Sequence, residues 1–134
     1  MLTLIFKTMK PILIITCLFL FACTKENDDD DMVISTGSIY KIETLREITL
    51  GQTDTIEVTF SGGFNGCAVA DRLETLLIGN TTTIRSFYQY PKKSQICTQI
   101  LPVHMLKFTY KPTVKGTFTY KSFDTDITAS TVVK

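Results

Sequence analysis

The feature that most constrains the fold of this chain is the alternation of apolar and polar side chains along its C-terminal part. The segment 55–60 reads Thr-Ile-Glu-Val-Thr-Phe, and 104–111 and 116–122 repeat the pattern of one apolar residue in every two. A period of two places successive side chains on opposite faces of a β-strand. Further strands are predicted at 39–45, 73–78, 82–90 and 127–133, and 68–77 is also expected to be mostly strand.

Glycine and proline residues separate these segments, as expected for short strands joined by turns. About seven or eight strands, each with one polar face, predict an all-β antiparallel β-sandwich. We assign this domain to residues 36–134, since about 100 residues make one small domain.

Two neighbouring segments carry a resemblance to a known fold. Phe-Thr-Tyr-Lys-Pro-Thr at 108–113 is followed by Gly-Thr-Phe-Thr-Tyr at 116–120. This run resembles immunoglobulin-like and fibronectin-like modules of bacterial surface proteins, in which a proline corner precedes Gly-Thr-aromatic at the start of a strand. The resemblance implies an Ig-like sandwich. The chain contains no tryptophan, however, so the core tryptophan of antibody domains is absent.

The N-terminal residues 1–22 have the pattern of a secretory signal peptide. Lys7 and Lys10 supply positive charge, and the following 12 residues, 11–22, are uncharged and mostly apolar. A bilayer-spanning helix needs about 20 apolar residues, so this run is better suited to a cleaved leader. An uncleaved anchor and an ordinary signal peptide are the alternatives, and Met9 is a second candidate for the first residue.

Cys23 ends the leader in the sequence Leu20-Phe21-Ala22-Cys23. This run resembles the lipobox of bacterial lipoproteins. The resemblance implies that a signal peptidase cuts before Cys23 and that fatty acyl chains such as palmitate attach through its thiol. The membrane would then be a partner of the protein through this lipid anchor.

An acidic segment follows Cys23, and we expect residues 23–35 to form a lipidated cysteine and a solvated tether. Residues 24–31 contain one lysine and five acidic residues, a composition that cannot bury itself. Lys25, Glu26 and Asp28 resemble the export signal of Bacteroidetes-type surface lipoproteins. The resemblance implies an outer-membrane protein displayed on the cell surface. The alternative is a spacer that faces the periplasm.

Two cysteines remain for the folded domain. Cys17 leaves with the leader and Cys23 takes the lipid, so Cys67 and Cys97 form an even pair in an oxidising compartment. A disulfide between them is the default expectation, and two separate buried thiols are the alternative. In an Ig-like fold this bridge would join the loop 62–67 to the strand near Cys97.

The sequence offers little support for catalysis, metal binding or nucleic-acid binding. His104 is the only histidine, and it is expected to be a structural residue at the start of a strand. There is no Gly-x-Ser-x-Gly nucleophile elbow. Residues 32–134 carry 11 basic and 8 acidic residues, whereas nucleic-acid binding shows as a strongly basic face. We therefore expect a non-enzymatic protein without a metal, a cofactor or a nucleic-acid partner.

One aromatic segment is a candidate ligand surface. Phe87, Tyr88 and Tyr90 lie close to Lys92 and Lys93, and aromatic side chains can stack on sugar rings or peptides. The alternative is that one aromatic face lies in the core and the remaining residues lie at a sheet edge.

Thr55 is a candidate modification site. Asp54-Thr55-Ile56 resembles the Asp-Ser/Thr-aliphatic O-glycosylation site of exported Bacteroidetes proteins. The resemblance implies a glycan on the Thr55 hydroxyl.

Together these patterns predict a lipid-anchored binding or accessory module of the outer membrane, with a protein or glycan of unknown identity as its ligand. Two other functions remain open. The domain could be a structural component of an envelope complex, or a protease inhibitor that uses the glycine-rich loop 62–66.

Overall fold

The computed structural model of this chain describes residues 32–93 and 96–134. Every regular element in those residues is a β-strand, and no helix occurs among them. The strands are β1 (Met32–Glu43), β2 (Glu47–Ile48), β3 (Asp54–Ser61), β4 (Val69–Ile78), β5 (Thr81–Pro91), β6 (Val103–Tyr110), β7 (Gly116–Ser122) and β8 (Thr128–Val133). The predicted all-β fold is therefore confirmed, and the segment 68–77 is mostly strand as expected, since β4 covers all of it except Ala68.

The strands form one mixed sheet that curls into a half-barrel. Their order is β2-β8-β7-β5-β1-β3-β6, and β4 pairs with β5 beside this path. Five of the pairings are antiparallel, whereas β5 with β7 and β2 with β8 are parallel. These two parallel pairings depart from the predicted antiparallel arrangement, because alternation along a strand defines its two faces and not the direction of its neighbour.

Strand β1 connects the two halves of the sheet. Its first part pairs with β5, from Met32 opposite Pro91 to Gly37 opposite Ser86. Its second part pairs with β3, beginning at Ser38. The register shifts next to Ile39, and such a bulge bends a strand and increases its twist. One strand therefore belongs to two layers, and the sheet folds over at this point.

The core lies on the concave side of the curled sheet. Ile56, Val58 and Phe60 of β3 are fully buried, and Ile84 and Tyr120 face them from β5 and β7. The apolar members of the alternating segments thus face inward as predicted. Burial of these side chains is the main stabilising contribution, at roughly 1.5–3 kcal/mol for each large aliphatic or aromatic residue.

The first described strand includes residues 32–35, which precede residue 36, where we placed the start of the domain. Strand β1 starts at Met32, and the residues up to Ser35 pair with the end of β5. This segment has no regular alternation, but its backbone continues the ladder, and the Ser86 hydroxyl donates a hydrogen bond of 3.0 Å to the Gly37 carbonyl. Main-chain pairing, which the side-chain pattern does not reveal, decides the boundary.

Candidate functional site

The predicted aromatic ligand surface is divided between the two faces of β5. Phe87 lies on the outer face, where the guanidinium carbon of Arg72 is 4.4 Å from its ring centre. Tyr88 is only 6% exposed and belongs to the core. Tyr90 stacks on Tyr88 with ring centres 6.0 Å apart, and it packs against the same core. The three aromatic residues therefore do not form one binding surface.

The two lysines of that candidate surface lie beyond the strand. Lys92 and Lys93 follow Pro91 and are exposed. Strand β5 is not a sheet edge, because β4 pairs with one side of it and β1 and β7 with the other. The alternative interpretation is correct in placing one aromatic face in the core, and wrong in placing the segment at an edge.

The cysteine pair joins two loops at one end of the half-barrel. Cys67 and Cys97 are bonded, with their Cα atoms 5.5 Å apart. The Gly66 amide also donates a hydrogen bond of 2.7 Å to the Thr98 carbonyl. Within the first loop, the Cys67 amide donates to the Asn65 side-chain oxygen at 3.1 Å. The predicted pair thus lies at bonding distance, and it fixes loop 62–68 to segment 96–102.

These two loops expose large apolar side chains. The exposed fraction is 89% for Phe64 and 106% for Ile96, and Ile100, Leu101 and Val103 are also more than half exposed. We call these five residues the apolar end. Only Phe64 lies in a loop that the sequence singled out, 62–66, because loop residues have no period to interpret. The adjacent apolar residues Ile100 and Leu101 were the other available signal.

His104 contacts the backbone of loop 62–68 and the core residue Phe60. Its Nε2 atom lies 3.2 Å from the Gly62 carbonyl oxygen, and its ring centre is 5.3 Å from that of Phe60. It therefore holds the base of loop 62–68 against the core. In the part of the chain that the structure describes, no three His, Cys, Asp or Glu side chains come together as a metal site would require.

The opposite end of the half-barrel contains a buried carboxylate. Asp54 at the start of β3 is fully buried. The hydroxyls of Thr44 and Thr131 donate hydrogen bonds to its Oδ2 atom at 2.5 and 2.8 Å. The pKa of Tyr120 is raised to about 12, first by its burial and then by the charge of Asp54. Hydrogen bonds to hydroxyls therefore satisfy this carboxylate, whose function is structural.

Thr55 lies beside this buried network but faces the other way. It is exposed on the outer face of β3, opposite Thr109 of β6, whereas its neighbours Asp54 and Ile56 are fully buried. Its hydroxyl is accessible in the folded domain. Glycosylation of Thr55 stays a prediction.

Several predicted residues lie outside the described part of the chain. These are the leader 1–22, the lipidation site Cys23 and the export residues Lys25, Glu26 and Asp28. The search of the described residues for a helix long and apolar enough to cross a membrane found none. No protein family, curated protein or solved structure matches this chain.

Proposed function

We propose that this chain is a lipid-anchored, non-enzymatic binding or accessory module displayed on the outer membrane. The observation that carries the proposal is the position of Cys23. It ends a charged and then apolar leader, and the first strand begins at Met32, only nine residues later. A lipid on Cys23 would hold the half-barrel close to a bilayer.

The disulfide supports an exported protein. Cys67 and Cys97 are bonded, and disulfides persist in the periplasm and on cell surfaces but are rare in the cytosol. The bridge also stabilises a domain of about 100 residues, whose core is small.

An Ig-like fold is part of this proposal. A strand shared between two layers and a core enclosed by both layers support it, since sandwiches form corners with strands that change sheets. The two parallel pairings are the main departure from that architecture.

The distribution of side chains favours binding over chemistry. The buried polar groups Asp54 and Thr131 bond to each other and to neighbouring hydroxyls, so they stabilise the fold and face away from solvent. The most exposed large apolar side chains, Ile96, Phe64 and Leu101, lie on the disulfide-linked loops, and others such as Leu76 and Ile78 of β4 are exposed elsewhere. Apolar side chains rimmed by polar ones mark surfaces that contact another molecule.

Lipid labelling of two cysteine variants tests the anchor. We expect Cys23→Ala to lose all incorporation of labelled palmitate and to leave the membrane fraction, because Cys23 is the cysteine directly after the leader's apolar run and Cys67 and Cys97 are bonded to each other. Cys17→Ala is the matched control, since it removes a cysteine from the same leader, and it should keep both label and membrane association. Continued labelling of Cys23→Ala contradicts the proposal.

Digestion of intact cells by externally added protease tests whether the domain is displayed on the cell surface. We expect the wild-type domain to be digested from outside. Replacement of Lys25, Glu26 and Asp28 by uncharged residues should protect it, because the export signal is lost. Equal digestion of both proteins would leave residues 24–31 as a spacer only.

A further inference from the structure

The apolar end lies at the same end of the half-barrel as the beginning of β1. Strand pairing places Met32 opposite Pro91 at the end of β5. It also places Val103, the first residue of β6, opposite Ser61 at the end of β3. Ser61 itself pairs with Ser38 in the middle of β1, but loop 62–68 runs from there to Val69, which pairs with Gln89, two residues from Pro91. The beginning of β1 and the apolar end therefore lie at the same end of the half-barrel.

The exposed side chains of the apolar end are held in place. The disulfide Cys67–Cys97 and the Gly66–Thr98 hydrogen bond tie the two loops together. His104 and the buried Tyr88 fix loop 62–68 from below, since both contact Gly62. Single exposed apolar residues are common on protein surfaces, but four of them on linked loops, with Val103 at the start of β6, form a preorganised apolar surface.

The length of the preceding chain limits what this surface can reach. From Cys23 to Met32 there are nine residues, which span about 30 Å when fully extended. Strand β5 has 11 residues and is therefore about 37 Å long. A lipid on Cys23 thus keeps the apolar end within reach of the bilayer, whereas the far end of an upright domain lies beyond it.

We propose that the apolar end docks on the lipid bilayer that holds the Cys23 anchor, with Phe64 and Ile96 entering the boundary between headgroups and acyl chains. This inference rests on the proposed lipidation of Cys23. Aromatic and aliphatic side chains on a protein surface partition into that boundary. The anchor makes the contact intramolecular, so even a weak intrinsic affinity suffices.

A single tryptophan reports this contact, because the natural chain has none. We would express the full chain in its lipidated form and reconstitute it into vesicles of phosphatidylethanolamine and phosphatidylglycerol. Phe64→Trp and Ile96→Trp place the fluorophore at two highly exposed positions of the apolar end. Val114→Trp is the matched control, since Val114 is 54% exposed in the loop between β6 and β7 at the opposite end.

Brominated lipids quench tryptophan only at contact depth. We expect emission from Phe64→Trp and Ile96→Trp to shift to shorter wavelength and to be quenched at least about twofold more than that from Val114→Trp. Equal quenching of all three variants, or quenching of none, overturns the docking proposal. A shift that appears only in native membranes, without quenching by brominated lipid, shows a protein partner and overturns it as well.

Flotation of the vesicles separates this inference from the proposed function. Protein that does not float with the vesicles contradicts the Cys23 anchor itself. Protein that floats while tryptophan at Phe64 stays unquenched keeps the anchor and rejects only the docking of the apolar end.

Discussion

The two ends of the half-barrel are stabilised in different ways. At the apolar end, loops carry large exposed side chains, and the covalent bond Cys67–Cys97 links them. At the opposite end, the buried carboxylate of Asp54 bonds the hydroxyls of Thr44 and Thr131, and the Gly79-Asn80 turn joins β4 to β5. The first end adds a covalent cross-link to its hydrogen bonds, whereas the other depends on burial and hydrogen bonding.

This difference explains how the loops of the apolar end can expose large apolar side chains and still be ordered. A loop that is ordered by burial must turn its apolar residues inward, because burial is what orders it. The disulfide removes that requirement for loop 62–68, since it limits the freedom of the unfolded chain instead. The apolar end can therefore stay both ordered and exposed, which a binding surface requires.

Removal of the cross-link is expected to have the largest effect. Cys67 and Cys97 are 30 residues apart in sequence, and closing a loop of about 30 residues contributes roughly 3–4 kcal/mol in the chain-entropy model. We expect the double variant Cys67→Ser with Cys97→Ser to lose an amount of this order in the free energy of unfolding, measured by urea denaturation.

Hydrogen exchange of the same variant tests whether the effect is local. Amides of loop 62–68 should exchange faster in the native state. Amides around Asp54 should still exchange only through global unfolding, at a rate set by the stability that the variant retains. The wild-type protein, reduced and alkylated, should match the variant. Equal loss of native-state protection at both ends would mean that the two ends are not independently stabilised.

The sequence predicted the parts of the fold that depend on side-chain period. The inward positions of Ile56, Val58 and Phe60 follow from alternation. The same period extends back to Asp54 and places its side chain inward too. A carboxylate is seldom buried, so this position could not be predicted with its partners unknown. The hydroxyls that satisfy the carboxylate, those of Thr44 and Thr131, are distant from it in sequence. The exposed loop residues had no such signal, because a disulfide and a few backbone hydrogen bonds position them.

The alternation of apolar and polar side chains did not predict the direction of neighbouring strands or the start of the first described strand. Strand β7 lies parallel to β5 because the chain returns through β6 on the other layer, a long-range event. Likewise, Tyr88 was predicted as either a ligand residue or a core residue, and only the approach of loop 62–68 to its ring decides for the core.

High pH is expected to weaken the opposite end through Tyr120. The pKa of its hydroxyl is raised from 10.0 to about 12, because burial and the charge of Asp54 disfavour the phenolate. The neutral phenol therefore stabilises the folded state fully below pH 10.0, and this contribution is lost as the pH rises towards about 12. A shift of two units corresponds to about 2–3 kcal/mol.

Tyr120→Phe isolates this contribution, since the variant cannot ionise at that position. We expect the difference in the free energy of unfolding between wild type and Tyr120→Phe to change by about 2–3 kcal/mol between pH 9 and pH 12. Asp54→Asn removes the charge, so Tyr120 should ionise at lower pH, as followed by the absorbance of tyrosinate. If the difference in free energy of unfolding between wild type and Tyr120→Phe does not change with pH, the interaction of buried Tyr120 with Asp54 is contradicted.

Two glycine substitutions, one at each end, are expected to have the smallest effects on stability. In loop 62–68, a Cβ atom at Gly62 would lie 2.2 Å from the Tyr88 ring, so Gly62→Ala should cost about 1–3 kcal/mol through overpacking. At Gly79 nothing lies within 4 Å of an added Cβ, so any loss of stability comes from the backbone, whose φ is +59°. Gly79→Ala should therefore cost only about 1 kcal/mol.

Asparagine distinguishes the two causes, since it tolerates positive φ better than alanine does but is larger. We expect Gly79→Asn to regain most of the stability that Gly79→Ala loses, and Gly62→Asn to be no better than Gly62→Ala, both measured by thermal unfolding. Recovery at Gly62 would mean that Tyr88 can move aside. Loop 62–68 would then be held by its disulfide and its hydrogen bonds to Thr98 and His104 without a contribution from packing on Tyr88. The contrast between a cross-linked end and a packed end would be sharper than the structure shows.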